Sequence, residues 1–526
     1  MDESQNSITI PELKRHLEFL GSDLFEGRGT GTTGGNLASK YIALEFDRIK
    51  LTPAGTDNTY YQFIPMHGSK PLDSSQLMIY YDQDSVKLNL NVDYLLYTSG
   101  EQTYIPAPIE MVFAGYGIIA HEFDYNDYQS IDVTGKIVLI LDGEPQSEEI
   151  SYFDGKTPTI YSYPDVKHRL AVSRGASGSL IVPNPYNGVL PDWDELINQF
   201  GFEDVTLAST VAGNLNAAIN PDIADKILKL SGTSLDNIYK DHLSGKLKSF
   251  PLRVSLSFKG EFKQRDFVDA NVIGMIEGSD KNLKDTYIII SAHYDHLGIG
   301  PVVNGDSIYN GVLDNAIGTA GLIELADAFS RLKPSPKRSL IFLAVTGEEK
   351  GLLGSTYYTG NPVVPLYKTI ANVNIDGLSL FKDFTSVVAV GGDLSTLGDL
   401  FAASAEKMNI SIANIPPQFK QLESFNRSDQ AAFARAGIPS ILILEGPDNK
   451  NLTREQIIDS LISYSKNIYH SPFDDLNLNI DLTAAVQHLQ LLFRFIYDIA
   501  DSDAEPQWNE QSPFLIERLR TRAEKR

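Results

Sequence analysis

The chain has no cysteine. Disulfide frameworks, thiolate metal sites and cysteine nucleophiles are therefore excluded. Positive charge is scarce: 44 Lys and Arg stand against 68 Asp and Glu, a formal net charge of −24. Such a surface repels nucleic acid and anionic membranes, and weakly favours cations, including metals and the protonated amino ends of peptides. No apolar run reaches the roughly 18–20 residues that a membrane span needs. The opening MDESQNSITI has neither the basic region nor the apolar core of a secretory signal. There is also no Gly-x-Ser-x-Gly, the usual setting of a hydrolase serine.

What is present suits a large soluble protein of 526 residues, 42% apolar and 21% charged. Pro11 to Leu20 spaces Leu13, Leu17 and Leu20 as one helical face behind Thr9 as N-cap. Glu26–Gly35 (EGRGTGTTGG) holds five glycines in ten residues and reads as a mobile connection. No strand precedes it, which argues against a phosphate cradle. Between about residues 76 and 260 short strands predominate, among them QLMIYY, GKIVLILDG and LRVSLSF. This stretch reads as a separate β-rich domain, 86–261, inserted into a larger one made of 1–85 and 262–505, with 506–526 as a basic tail. In the larger domain, continuous apolar strands alternate with amphipathic helices. That pattern predicts an α/β fold with a mostly parallel mixed sheet sandwiched by helices.

The strands of the larger domain run into acids and imidazoles. TYIIISA reaches His293 and Asp295, SLIFLAVTG reaches Glu348 and Glu349, and IANVNI reaches Asp376. Open α/β sheets bind ligands outside the carboxyl ends of their strands. Asp314, before a helix, and His470, in YHSPFDD, are further candidates. Converging carboxylates repel one another, and apart from Lys350 no basic residue stands beside them. A dication resolves the conflict, and two imidazoles with three or four carboxylates suit zinc. The count exceeds what one tetrahedral ion needs and fits two ions sharing a carboxylate. Singly, each residue has an ordinary explanation: Asp314 as an N-cap, Asp376 as a turn residue, the Glu pair as a helix start. His296 competes with His293, but His293 is nearer the strand end and leaves Asp295 on the same side, able to accept its ring N–H. His296 is then a supporting contact.

The chain resembles the zinc aminopeptidases of metallopeptidase family 28. The resemblance rests on ANVIGMIEGSD, YIIISAHYDHLG, GVLDNAIGTAGLIELA, FLAVTGEEKGLLGS, VNIDG, SDQAAFARAGIPSILI and YHSPFDD, in that order. It implies two zinc ions per chain, with His293 and Asp376 ending on one, Glu349 and His470 on the other, and Asp314 bridging. It further implies Glu348 as general base to a water shared by the metals, Asp295 as the partner of His293, and a cis peptide between Asp314 and Asn315. VFAGYGIIAHEFDYNDYQSIDVTGKIVLILDGEP and RGASGSLIV are similar to a protease-associated domain. The implied activity is removal of N-terminal residues from peptides, in a secreted or periplasmic setting. Asp314-Asn-Ala-Ile-Gly departs from the family's usual Asp-Asn-Ala-Ser-Gly, and GVL replaces Gly-Ala-Asp before it, which bears on substrate preference more than on activity. Rival readings are a carboxypeptidase or dipeptidase on the same scaffold, and an inactive binding protein.

Overall fold

A computed structural model describes every residue except 1, 98–102, 150, 154, 156, 157, 211–213, 417, 418, 420–424, 525 and 526. The chain forms two compact units, one of Met1–Met66 with Phe267–Arg526, the other His67–Asp266. Both crossings fall inside long strands, Tyr61–Pro71 and Phe262–Ile276.

In the first unit the strands lie in the order 61–71, 262–276, 339–345, 287–293, 369–374, 440–445, 386–390, 411–413. The four in the middle, 339–345 to 440–445, pair in parallel. Flanking strands 262–276 and 386–390 pair antiparallel to them, so the sheet is mixed with a parallel centre. Strand Ser339–Val345 is buried at every residue, as a strand covered on both faces must be. One face is covered by helices Ile10–Leu20, Ile317–Ser330 and Leu482–Ala500. The last buries Ala485, Leu489, Leu492, Phe493 and Ile496, a helical stripe turned to the core.

The second unit has its own eight-stranded sheet and its own core. Strands 104–113, 137–141, 178–182 and 215–219 are mutually parallel. Helices Pro164–Ser173 and Pro221–Leu230 open with proline in the first turn, where its missing N–H costs nothing. Residues 506–526, expected as a tail, include the helix Leu515–Ala523, which buries Arg518 within the first unit.

The glycine-rich stretch is not a mobile connection. Gly27, Arg28, Gly29 and Thr30 are buried. Gly27 has φ 67, and a Cβ there would strike the Tyr309 carbonyl. Its glycines serve close packing of backbone on backbone.

Candidate metal centre

Strand register sets the site. His293 pairs with Val345, and Ser291 with Asn374, so the residues that follow, Glu348–Glu349 and Asp376, leave the sheet at one edge. Below them a polar ladder ties the strands. Ser291 donates to Asn374 Oδ1 at 2.7 Å, and Asn372 Nδ2 donates to Ser291 at 2.9 Å. Asp314 stands before helix Ile317–Ser330, and its peptide bond to Asn315 is cis. Asn315 stitches this turn to the neighbouring strand end, donating to the Ile375 carbonyl at 2.8 Å and accepting from Gly377 N at 3.0 Å.

The five expected ligands come together in two sets. His293 Nε2 lies 3.3 Å from Asp376 Oδ1 and 3.4 Å from Asp314 Oδ1. His470 Nε2 lies 3.1 Å from Glu349 Oε2 and 3.3 Å from Asp314 Oδ2. The two oxygens of Asp314 therefore face opposite sets. Two ligands held by one zinc at about 2.0–2.1 Å in a tetrahedron stand about 3.3–3.4 Å apart. The spacings match that edge. His470 Nε2 is also buried without a well-aligned hydrogen bond, despite the carboxylates beside it. Donor type, spacing and this orphaned nitrogen all fit zinc. His293, Glu348 and Asp376 form a further group able to hold an ion.

The electrostatics agree. Burial pushes His470 down, but Glu349 and Asp314 outweigh it and hold the ring up at about 10. Burial, with the charges of Glu349 and Asp376 overcoming that of His293, holds Glu348 well above the usual carboxylate range. The imidazoles stand in an excess of carboxylates that favours a cation among them, a place a dication fills well. A second cluster, Glu12, His16 and Glu324, also has ligand spacing. There the Arg15 guanidinium lies 3.0 Å from His16 Nε2 and already supplies the cation.

The supporting contacts differ from expectation in one respect. His293 Nδ1 lies 3.1 Å from the backbone carbonyl of Asp295, whereas the carboxylate stands 4.0 Å away. The Asp295 carboxylate instead accepts from Thr30 Oγ1 at 3.0 Å and Glu348 N at 3.2 Å, placing the backbone of Glu348. The extended chain after His293 brings the carbonyl under the ring before the side chain can reach it. His296 is fully buried, and its Nδ1 lies 2.7 Å from Glu349 Oε1, fixing that ligand from behind.

Three more residues were not legible as site residues. Asp474 accepts from Leu313 N at 2.8 Å and Asp314 N at 3.0 Å, tying the Asp314 turn to the His470 loop. Asp269 accepts from Gly31 N at 2.7 Å, Thr346 Oγ1 at 2.9 Å and Tyr294 OH at 3.1 Å. Arg28 donates to the carbonyls of Tyr294, Leu20, Asn310 and Gly311 at 2.7, 2.9, 2.6 and 2.7 Å. Asp474 lies in YHSPFDD and Arg28 in the glycine-rich stretch, but nothing in the sequence assigns these contacts.

Comparison with known proteins gives the same picture. The aminopeptidase from Aneurinibacillus sp. strain AM-1 has a similar fold, with TM-score 0.58 and 19% identity over 95% of this chain and 96% of that one. A probable leucine aminopeptidase 2 of Aspergillus oryzae is 26% identical over 421 residues, 76% of this chain and 71% of that protein. Transferrin receptor protein 2 of Mus musculus is 29% identical over 226 residues, 42% of this chain and 24% of the receptor. Fold, site and relatives define a peptidase, a hydrolase of the α/β class. Residues 271–496 match the model of peptidase family M28.

Proposed function

We propose that this peptidase is a two-zinc aminopeptidase, releasing residues from the free amino end of peptides. The observation that carries the reading is the division of Asp314, one oxygen toward His293 and Asp376 and the other toward His470 and Glu349. His293 and Asp376 would hold one ion, His470 and Glu349 the other, and Asp314 both. Bound there, zinc supplies Lewis acidity for the scissile carbonyl and lowers the pKa of water toward about 7.

Glu348 is the residue that moves the proton. It lines the cavity beside Asp314 and Asp376, and its raised pKa suits an acid–base group. It takes a proton from the attacking water as the oxygen–carbon bond forms. It then gives that proton to the departing amine as the carbon–nitrogen bond breaks. Asp295, itself held by Thr30, accepts from the Glu348 backbone N–H and keeps it in place. The surplus of carboxylates around the site recruits the cationic amino terminus of a peptide.

The name of the Aspergillus oryzae relative supports the amino-terminal direction. The receptor among the relatives raises the reading of a binding protein. The complete ligand set here favours the enzyme. The unit His67–Asp266 is read as a protease-associated domain with a part in substrate selection. Among the described residues no helix is long and apolar enough to cross a membrane. A secreted or periplasmic setting goes with this reading.

The test is Glu348→Gln. It should retain both metals, measured by elemental analysis, and lose about 10²–10⁴-fold in kcat on an aminoacyl p-nitroanilide. A variant that keeps its metal and its turnover would exclude Glu348 as the base.

A further inference from the structure

Beside Asp314, Glu348 and Asp376 opens a cavity of about 360 Å³, within the size range of ligand sites. Its walls are apolar: Val388, Val390, Leu442 and Leu444 from two paired strands, Ile458 and Leu461 from the helix Arg454–Asn467. Polar side chains line it too, Glu445 and His488 among them, with Arg427, Ser428 and Ser465. Both Glu445 and His488 are seated on the consecutive backbone N–H groups of Ser379, Leu380 and Phe381. His488 Nδ1 accepts from Ser379 N at 3.1 Å, and Glu445 accepts from Leu380 N at 2.9 Å and Phe381 N at 3.2 Å.

Their hydrogen-bonding capacity is not used up. With Nδ1 accepting, the proton of the neutral His488 ring sits on Nε2. Burial depresses the ring to about 4, so it is neutral at working pH. Nε2 is buried and has no partner, and the residue is 1% exposed. The Glu445 carboxylate has lone pairs beyond the two it uses. A mainly apolar cavity thus carries an unpaired donor, His488 Nε2, and an acceptor with spare capacity, Glu445.

We propose that this cavity seats the side chain of the substrate's first residue, and that Glu445 and His488 read a hydroxyl at its tip, so that N-terminal tyrosine is preferred over phenylalanine. The inference rests on the aminopeptidase reading above. A phenol satisfies both groups at once: its O–H donates to Glu445 and its oxygen accepts from His488 Nε2–H. A lysine or arginine would suit Glu445 but face the His488 N–H with another donor. Phenylalanine, leucine and methionine leave the His488 donor unpaired. Glutamine carries both functions but leaves much of the apolar wall uncovered.

The test uses the zinc-loaded full chain and the p-nitroanilides of Tyr, Phe, Leu, Lys and Gln. A site built to bond a hydroxyl discriminates strongly against the analogue without it. The expected kcat/KM for Tyr exceeds that for Phe by at least about tenfold, and exceeds those for Lys and Gln. In Glu445→Leu and in His488→Phe that advantage falls to near parity. Equal Tyr and Phe values in the wild type would overturn the proposal, as would a Lys or Gln preference or a Tyr advantage that survives both substitutions. Because either variant could fold poorly, the wild-type ratio is decisive alone. If no free-amino substrate is turned over, the aminopeptidase reading falls. The cavity is then judged by calorimetric binding of tyramine against phenethylamine: tighter tyramine supports the hydroxyl reader, and equal affinities refute it.

Discussion

Arg28 shows how much of the site is held by a residue that takes no part in chemistry. It is 1% exposed, and its guanidinium spans carbonyls on the loops before Asp314 and beside His293. Arg28→Met leaves those carbonyls buried without donors. We expect a loss of about 3–5 kcal/mol in chemical denaturation. Arg28→Lys should restore little, since an ammonium lacks the planar fork. A variant as stable as the parent would show that the contacts contribute nothing net. Three of the proposed ligands stand out in the sequence because each follows its own strand: His293, Glu349 and Asp376 are announced by the apolar run before them. Arg28 does not, because its partner Tyr294 lies 266 residues away and a lone Arg in a glycine loop has no pattern. His296, read as a supporting contact, is one, but its pairing with Glu349 was not legible because the contact joins two different strand ends.

At the scale of elements, hydrophobic period read well where burial is one-sided or complete. The helix Ile10–Leu20 buries Leu13, Leu17 and Leu20 behind Thr9, as its spacing predicts, although Thr9 makes no side-chain cap bond. The helix Leu482–Ala500 is the largest such case, and Leu489 at its centre is fully buried. Leu489→Ala should cost about 2–5 kcal/mol, read as a lower denaturation midpoint. A change under about 0.5 kcal/mol, the usual range for surface positions, would mean that this helix is not part of the core. The glycine-rich segment misled because composition signals both mobility and close approach. The tertiary contact decides: Gly34 packs where a Cβ would overlap the Phe25 carbonyl. Its glycines exist for want of room.

For the whole molecule, the two units have separate cores, and every proposed ligand belongs to the first. Calorimetry should resolve two transitions. Zinc at a hundredfold over its Kd stabilises the unit that holds it by about 2.7 kcal/mol. Chelation should therefore lower one transition and leave the other in place. Equal shifts in both would show that the units unfold as one. The composition shift placed the inserted domain at 86–261, whereas the units divide at 67 and 266. The difference has a physical source: strands Tyr61–Pro71 and Phe262–Ile276 run through both crossings, so no turn or linker marks them.

The most direct test of the metallopeptidase account is a single preparation assayed in three states: as purified, after chelation, and after zinc is returned. Aminoacyl p-nitroanilide hydrolysis and metal content per chain are measured together, with an N-acetylated substrate alongside. The account predicts two metal ions per chain, activity lost with them and regained with zinc, and no cleavage of the acetylated substrate. Full activity in metal-free protein would contradict it.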